Sequence, residues 1–298
     1  MTPFRWYDPF RHGAVKLRRG SLARSCCVAV LRIAARSHPF PDGIAEIRPL
    51  DAPDLSFEAI DSMVMEQVYW FGVQGYEGRV ADIWASLCQR AGSVLEIGGN
   101  VGLFTVVGGR AAEGRQYTVV EPVPEVAAVL RRNLQRNGLT AVEILEAAAI
   151  PDPAPRAVSL NIPSENRDMP VGAHLLDGVE IAARSSLRVI STNGIPFRSL
   201  MEGRDLVKID AEGAEFSLLH AARDIILHLR PTLLIEVLPE AERLGQLLAD
   251  LANQANYSIY ILPEFGSEQI VKVSPAQFSA HLPQRYNSKD VVLTTSSL

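Results

Sequence analysis

Glu96, Gly98, Asn100 and Gly102 stand in the order E-x-G-x-N-x-G, with Gly99 inside the same run, directly after the apolar stretch 94–97. Glycine lacks a Cβ and loses more conformational freedom on folding than any other residue. Three glycines in five positions therefore mark a turn that needs positive φ or a close approach to the main chain. Between a strand and an apolar helix, such a turn offers bare backbone and free N–H groups on which a ligand can rest. The spacing is not G-x-G-x-x-G, which cradles a pyrophosphate. A carboxylate at Glu96 would repel that group and suits a ligand carrying an ammonium.

A second acid, Glu121, closes the next strand-like run, 25 residues after Glu96, and is followed by PVPEV. At a strand tip a carboxylate can accept hydrogen bonds from the cis hydroxyls of a ribose, each worth about 1.5–3 kcal/mol when the acceptor is charged. A glycine turn with a ribose-binding acid describes a site for a nucleoside without a phosphate chain. S-adenosylmethionine has those parts: an adenosine, an α-amino acid and a sulfonium. On the third strand, Glu146, Ala147 and Ala148 fall near the adenine, where small residues also suit ordinary packing.

Further acids gather downstream in K-I-D-A-E-G-A-E, which runs from Lys208 to Glu215, and at Glu236 near the end of TLLIEV. Methyl transfer from a sulfonium to oxygen is an in-line displacement in which alignment is worth about 7–11 kcal/mol. A base adds a factor of roughly 10²–10⁴. Asp210 and Glu212 are the candidates to orient or deprotonate an acceptor hydroxyl, because crowded carboxylates raise one another's pKa. Alternatively, Asp210 and Glu236 could hold Mg²⁺, which takes oxygen ligands. Acids in a first helical turn also have a plain structural use as caps and dipole partners, Glu215 above all. Lys208 reads as a salt-bridge partner outside the chemistry. Among the histidines, His174 in VGAHLLDG is the candidate base, on a loop over the strand tips.

The elements that must position these groups alternate. Short β-branched runs, VLEI, YTVVE, VEILEAA, LVKID and TLLIEV, are separated by helical patterns such as VPEVAAVLRRNLQRNG and EFSLLHAARDIIL. This alternation predicts a doubly wound, mostly parallel α/β sheet with helices on both faces and its ligand at the carboxyl ends of the strands. Helical spacing is also expected over 57–71 and 79–91. From Pro151 to Arg204 the chain is rich in Pro, Ser and Asn with only short strand-like pieces, AVSLNI and SLRVIST, a stretch too long for an ordinary βα connection and available for substrate contacts.

Composition bounds the rest. The 298 residues are 47% hydrophobic, enough for a large core, and a net charge of -5 argues against a nucleic-acid partner. Between Met1 and Arg36 there are eight basic side chains against Asp8 alone, which leaves -12 for the remainder. Residues 1–50 therefore read as a basic N-terminal extension, either a poorly ordered leader or a helix packed on the domain, or else a basic amphipathic helix lying on an anionic membrane or a partner, and 51–298 as the catalytic domain. Three cysteines, Cys26 and Cys27 adjacent and Cys88 distant, make neither a metal quartet nor a disulfide framework, which fits a reducing cytoplasm.

The strings VLEIGGNVGLFT, YTVVEPVPEVAAVLRRNLQRNG, VKIDAEGAEFSLLHAA and PTLLIEVLP closely resemble the FkbM family of S-adenosylmethionine-dependent methyltransferases. The likeness runs from about Tyr76 and Glu77 to the C-terminus, weakens over 151–204 and is absent from the first 50 or so residues. It implies a Rossmann-like class I methyltransferase that methylates hydroxyls of secondary metabolites, sugars or glycolipids. The expected donor-contacting set is then Glu77, Glu96, Gly98, Gly99, Asn100, Gly102, Glu121, Pro122, Ala147 and Asp210. Many members carry aspartate and alanine where this chain has Glu96 and Gly99, a change that preserves charge and small size. Two other readings stay open: N-methylation of a small molecule, and a scaffold that kept the pocket and lost catalysis. Methylation of nucleic-acid bases would call for N/D-P-P-Y/F after the fourth strand, where this chain has DAEG.

Overall fold

In the computed structural model, which describes residues 7–17, 22–35, 44–152, 157–163, 174–175, 187–238, 241–262, 269–278 and 289–298, the basic leader folds onto the body. Its two helices, α1 (Asp8–Lys16) and α2 (Leu22–Ala35), precede an antiparallel ribbon of β1 (Glu46–Ile47) and β2 (Phe57–Glu58). Tyr7 and Leu31 are buried in the same core as Met65 and Trp70. The Tyr7 ring meets Trp70 edge-on at 4.9 Å, and Arg11 donates to the Tyr69 carbonyl while its guanidinium lies 4.0 Å over the Tyr69 ring. The division expected at residue 50 thus falls between two paired strands. The helix expected from residue 57 starts later, as α3 (Met63–Phe71), because Ser62 Oγ accepts the Met65 N–H as an N-cap. Phe57 and Glu58 go to the ribbon instead, which two later asparagines secure: Asn133 Oδ1 accepts the Glu58 N–H and Asn137 Oδ1 accepts the Ser56 N–H. Two short steps, α4 (Gln74–Glu77) and α5 (Val80–Arg90), lead into the sheet.

The expected alternation then follows: β3 (Ser93–Ile97), α6 (Leu103–Ala111), β4 (Gln116–Val120), α7 (Pro124–Arg136) and β5 (Glu143–Leu145). A second group comprises β6 (Ala148–Ile150), β7 (Ala157–Pro163), β8 (His174–Leu175) and β9 (Leu187–Pro196). After α8 (Phe197–Leu200) come β10 (Leu206–Ile209), α9 (Glu215–Ala221), α10 (Arg223–Leu229) and β11 (Thr232–Val237). The chain closes with α11 (Glu242–Ala255), β12 (Ser258–Ile261), β13 (Val271–Val273), α12 (Pro275–Phe278) and β14 (Lys289–Thr294).

Eight strands form one sheet in the order β13-β12-β14-β11-β10-β3-β4-β5, parallel from β11 to β5, with β14 antiparallel between β11 and β12. Along β10, Leu206 points into the core beneath α5, α6 and α7, whereas Val207 and Ile209 point into the core with α9, α10 and α11. Helices therefore cover both faces, and the sheet is Rossmann-like. The order reverses at β3, which has β4 on one side and β10 on the other, so a crevice opens beyond the carboxyl ends of β3 and β10.

Two expectations are corrected, for the run 142–148 and for His174. The run 142–148 is not one strand: β5 stops at Leu145, and β6 joins a separate sheet of order β6-β9-β7-β8. In the 151–204 stretch the two strand-like pieces become β7 and β9. β7 and β9 pair antiparallel over seven residues each, since two β-branched runs close in sequence satisfy one another's backbone groups. His174, expected on a loop, lies in β8 opposite Asn161, and only its backbone is described. Among the described residues, no helix is long and apolar enough to cross a membrane.

Candidate functional site

The turn after β3 is held by its neighbours. The N–H groups of Gly98 and Gly99 both donate to the Val120 carbonyl, at 3.0 and 3.2 Å, and the Asp210 N–H donates to the Ile97 carbonyl at 3.1 Å. Gly98 and Gly102 have φ of 86° and 93°, and Asn100 adopts 48° while its Oδ1 accepts the Val101 N–H. Why these glycines are needed is physically specific. A Cβ on Gly98 would overlap the Asp210 carbonyl oxygen, one on Gly99 would strike Val119, and one on Gly102 would strike Leu130 of α7. The close approach signalled by the glycines is thus made first of all by the adjacent strands and helix.

Beyond the turn lies a cavity that opens to solvent. Gly98, Asn100, Glu121 and Pro122 line one side of it. Ala148, Ala149 and Leu160 give it an apolar wall, and Asp210, Glu212, Glu236 and Tyr76 surround its acidic end. Of the other residues expected at the site, Glu77, Glu96, Gly99, Gly102 and Ala147 are not in the lining. Tyr76, Ala149 and Leu160 were not anticipated from sequence. Leu160 arrives on β7 of the second sheet, and the apolar alternation of AVSLNI was the available signal for that strand, though not for its placement.

Glu121 is buried just past the end of β4. Its Oε2 accepts the Asn100 N–H at 2.8 Å and its Oε1 accepts the Val123 N–H at 3.0 Å. Burial pushes its pKa up to about 7 against the pull of those two N–H groups. Glu96 is the penultimate residue of β3, 1% exposed and not in the cavity lining. Its Oε2 accepts the Tyr117 hydroxyl at 2.6 Å, while Oε1 has no partner among the described residues. Burial pushes Glu96 up to about 7 as well, opposed by Lys208 and Tyr117.

Lys208, beside Glu96 in the β10–β3 register, is 2% exposed and bonds Asp210 Oδ2 at 2.8 Å. Burial pulls its pKa down, but Asp210, Glu77 and Glu96 together hold it above the ordinary lysine value. Glu77 of α4 is raised well above the usual carboxylate range by burial and then by Asp290, and one of its oxygens is buried without a hydrogen bond among the described residues. Asp290, opposite Glu236 in the β11–β14 register, is pushed up to about 7 by burial. No motif marked Asp290; only the antiparallel pairing of the final strand brings it here. Glu215 has a structural task, its Oε1 accepting the N–H groups of Ala211 and Gly213 and so closing the DAEG turn.

Asp210 and Glu236, the pair considered for a metal, both line the cavity. Among the described residues, no group of three or more His, Cys, Asp or Glu side chains is disposed to hold an ion. The ammonium already bound to Asp210 also opposes a divalent cation there.

Solved structures similar to this chain include a methyltransferase FkbM from Methylobacillus flagellatus KT, at 14% identity and a TM-score of 0.40 over 68% of this chain and 43% of that one. Others are an O-methyltransferase from Bacillus cereus in complex with SAH, at 14% identity and a TM-score of 0.41 over 72% and 80%, and a precorrin-6y C5,15-methyltransferase from Geobacter metallireducens GS-15, at 10% and 0.40 over 74% and 90%. The chain spans less than half the length of the Methylobacillus protein. No curated protein sequence matches it. The profile of the methyltransferase FkbM domain matches residues 96–259, more than half of the chain, from the buried Glu96 past the cavity-lining acids to β12. The chain therefore belongs to the FkbM methyltransferase family.

Proposed function

We propose that the protein is an S-adenosylmethionine-dependent O-methyltransferase acting on a hydroxyl of a sugar, glycolipid or secondary metabolite. The observation that carries the donor reading is Glu121, a buried carboxylate at the cavity wall with one backbone N–H on each oxygen. Each oxygen retains lone-pair capacity, which suits the two cis hydroxyls of a ribose. Ala148, Ala149 and Leu160 provide an apolar surface for an adenine, and Gly98 lines the cavity where the amino-acid portion would rest. Bound there, the donor supplies a methyl carbon that bonds the acceptor oxygen as its bond to sulfur breaks, the electron pair leaving with sulfur as a neutral thioether.

Asp210 stands at the acidic end of the same cavity and accepts the proton of the acceptor hydroxyl as that oxygen attacks, afterwards passing it to water. Glu212 and Glu236 share this end and orient further hydroxyls of the acceptor. The test is Asp210→Asn, assayed with labelled donor and cell extract as the source of acceptor. Turnover should fall by roughly 10²–10⁴ while affinity for S-adenosylhomocysteine stays close to that of the parent protein. Unchanged turnover removes Asp210 from the chemistry. Absence of labelled product with the parent protein in every extract fraction removes the enzyme reading.

A further inference from the structure

We infer that Lys208 is a positioning residue, which takes one oxygen of the Asp210 carboxylate and so leaves the other, Oδ1, directed to the acceptor hydroxyl. The inference rests on the reading of Asp210 given above. Residues 208 and 210 share a face because side chains in an extended strand repeat with a period of two. The lysine ends inside the protein rather than in the cavity. Its Nζ is 2.8 Å from Asp210 Oδ2 and 4.6 Å from the centre of the Phe104 ring. Around it stand Glu77 from α4, Glu96 from β3 and Asp290 from β14, so several acids compete for a single ammonium, and Asp210 accepts its hydrogen bond.

The main chain of Asp210 is constrained at the same time. Its N–H is bonded to Ile97, and its carbonyl fills the space beside Gly98. With the backbone and Oδ2 both held, rotation of the carboxylate is suppressed, and Asp210 presents one defined acceptor to the cavity. A buried ammonium in a strand is costly unless it is paired. An apolar residue at 208 would also leave Glu77, Glu96, Asp210 and Asp290 without their ammonium, so the test must read the transfer step apart from stability.

A double-mutant cycle tests this. Lys208→Met, Asp210→Asn and the double variant are compared in single-turnover transfer of labelled methyl to the acceptor-bearing fraction of an extract, with S-adenosylhomocysteine affinity measured in parallel. Each single variant should slow transfer about a hundredfold or more and move the affinity less than about threefold. The double variant should be no more than about threefold slower than Asp210→Asn, because one function has been removed twice. Losses that multiply would mean that Lys208 acts independently of Asp210, and the inference fails. Should Lys208→Met not fold, Lys208→Gln with Asp290→Asn keeps the net charge of the cluster and enters the same cycle. If Asp210→Asn alone leaves the rate unchanged, the reading of Asp210 falls. If it slows transfer while the Lys208 variants do not, only the role of Lys208 falls.

Discussion

The carbonyl oxygen of Asp210 occupies the space that a side chain on Gly98 would need, so the glycine turn after β3 and the acidic tip of β10 interlock. Neither can change shape without moving the other. Gly98 also has φ of 86°, which costs a residue with a Cβ about 1–3 kcal/mol before any clash is counted. Gly98→Ala should therefore lower the urea midpoint and abolish detectable binding of S-adenosylhomocysteine in calorimetry. Unaltered affinity would show that the turn can relax without disturbing the cavity.

Glu121→Gln should weaken S-adenosylhomocysteine about ten- to hundredfold, the loss expected for hydrogen bonds to a charged acceptor. The amide must also turn its NH₂ toward the N–H of either Asn100 or Val123, leaving two donors facing each other. Titration calorimetry reads this directly, and an unchanged Kd would detach Glu121 from the ribose.

Stability in the absence of donor should fall as pH rises from about 4.5 to 7. An acid whose folded pKa is raised binds more protons folded than unfolded. Its stabilising contribution is complete below the unfolded pKa and is lost as pH rises through the folded one. Glu96 and Glu121 move from 4.5 to about 7, and Asp290 from 3.8 to about 7, so all three act in the same direction. Glu96→Gln keeps an acceptor for the Tyr117 hydroxyl and should flatten the dependence of the urea midpoint on pH. A dependence as steep as before would place the proton elsewhere.

Deleting residues 1–40 should lower Tm and leave the donor site intact. The deletion removes Tyr7 and Leu31 from the core, and burial of Leu31 alone is worth about 1.5–3 kcal/mol. Every cavity-lining residue lies at Tyr76 or later in the chain. Affinity for S-adenosylhomocysteine measured well below the new Tm should match that of the full chain. Loss of binding by a folded truncation would make the leader part of the site.

Local periodicity was a reliable guide to the parallel sheet, because β-branched runs and amphipathic helices differ in how often an apolar residue must recur, and that difference is visible in any short window. It also located Glu121 and Asp210, since the last residue of a parallel strand faces the crevice in whichever order the strands assemble. It did not locate the facing of Glu96. Its neighbours are Lys208, beside it in the β10–β3 register, and Tyr117, whose hydroxyl its carboxylate accepts, and only the order of the strands brings them together.

The amino-acid order by itself determined which segments become most of the strands and helices, where the glycine turn falls, and that Glu121 and Asp210 each follow a strand directly, because each depends on residues close together in the chain. Tertiary structure alone decided that the glycines make room for Asp210 and Leu130, that Asp290 joins Glu77 and Glu96 around Lys208, and that Leu160 walls the cavity. Those are meetings of segments far apart in sequence, set by strand order and register, and no local pattern carries either.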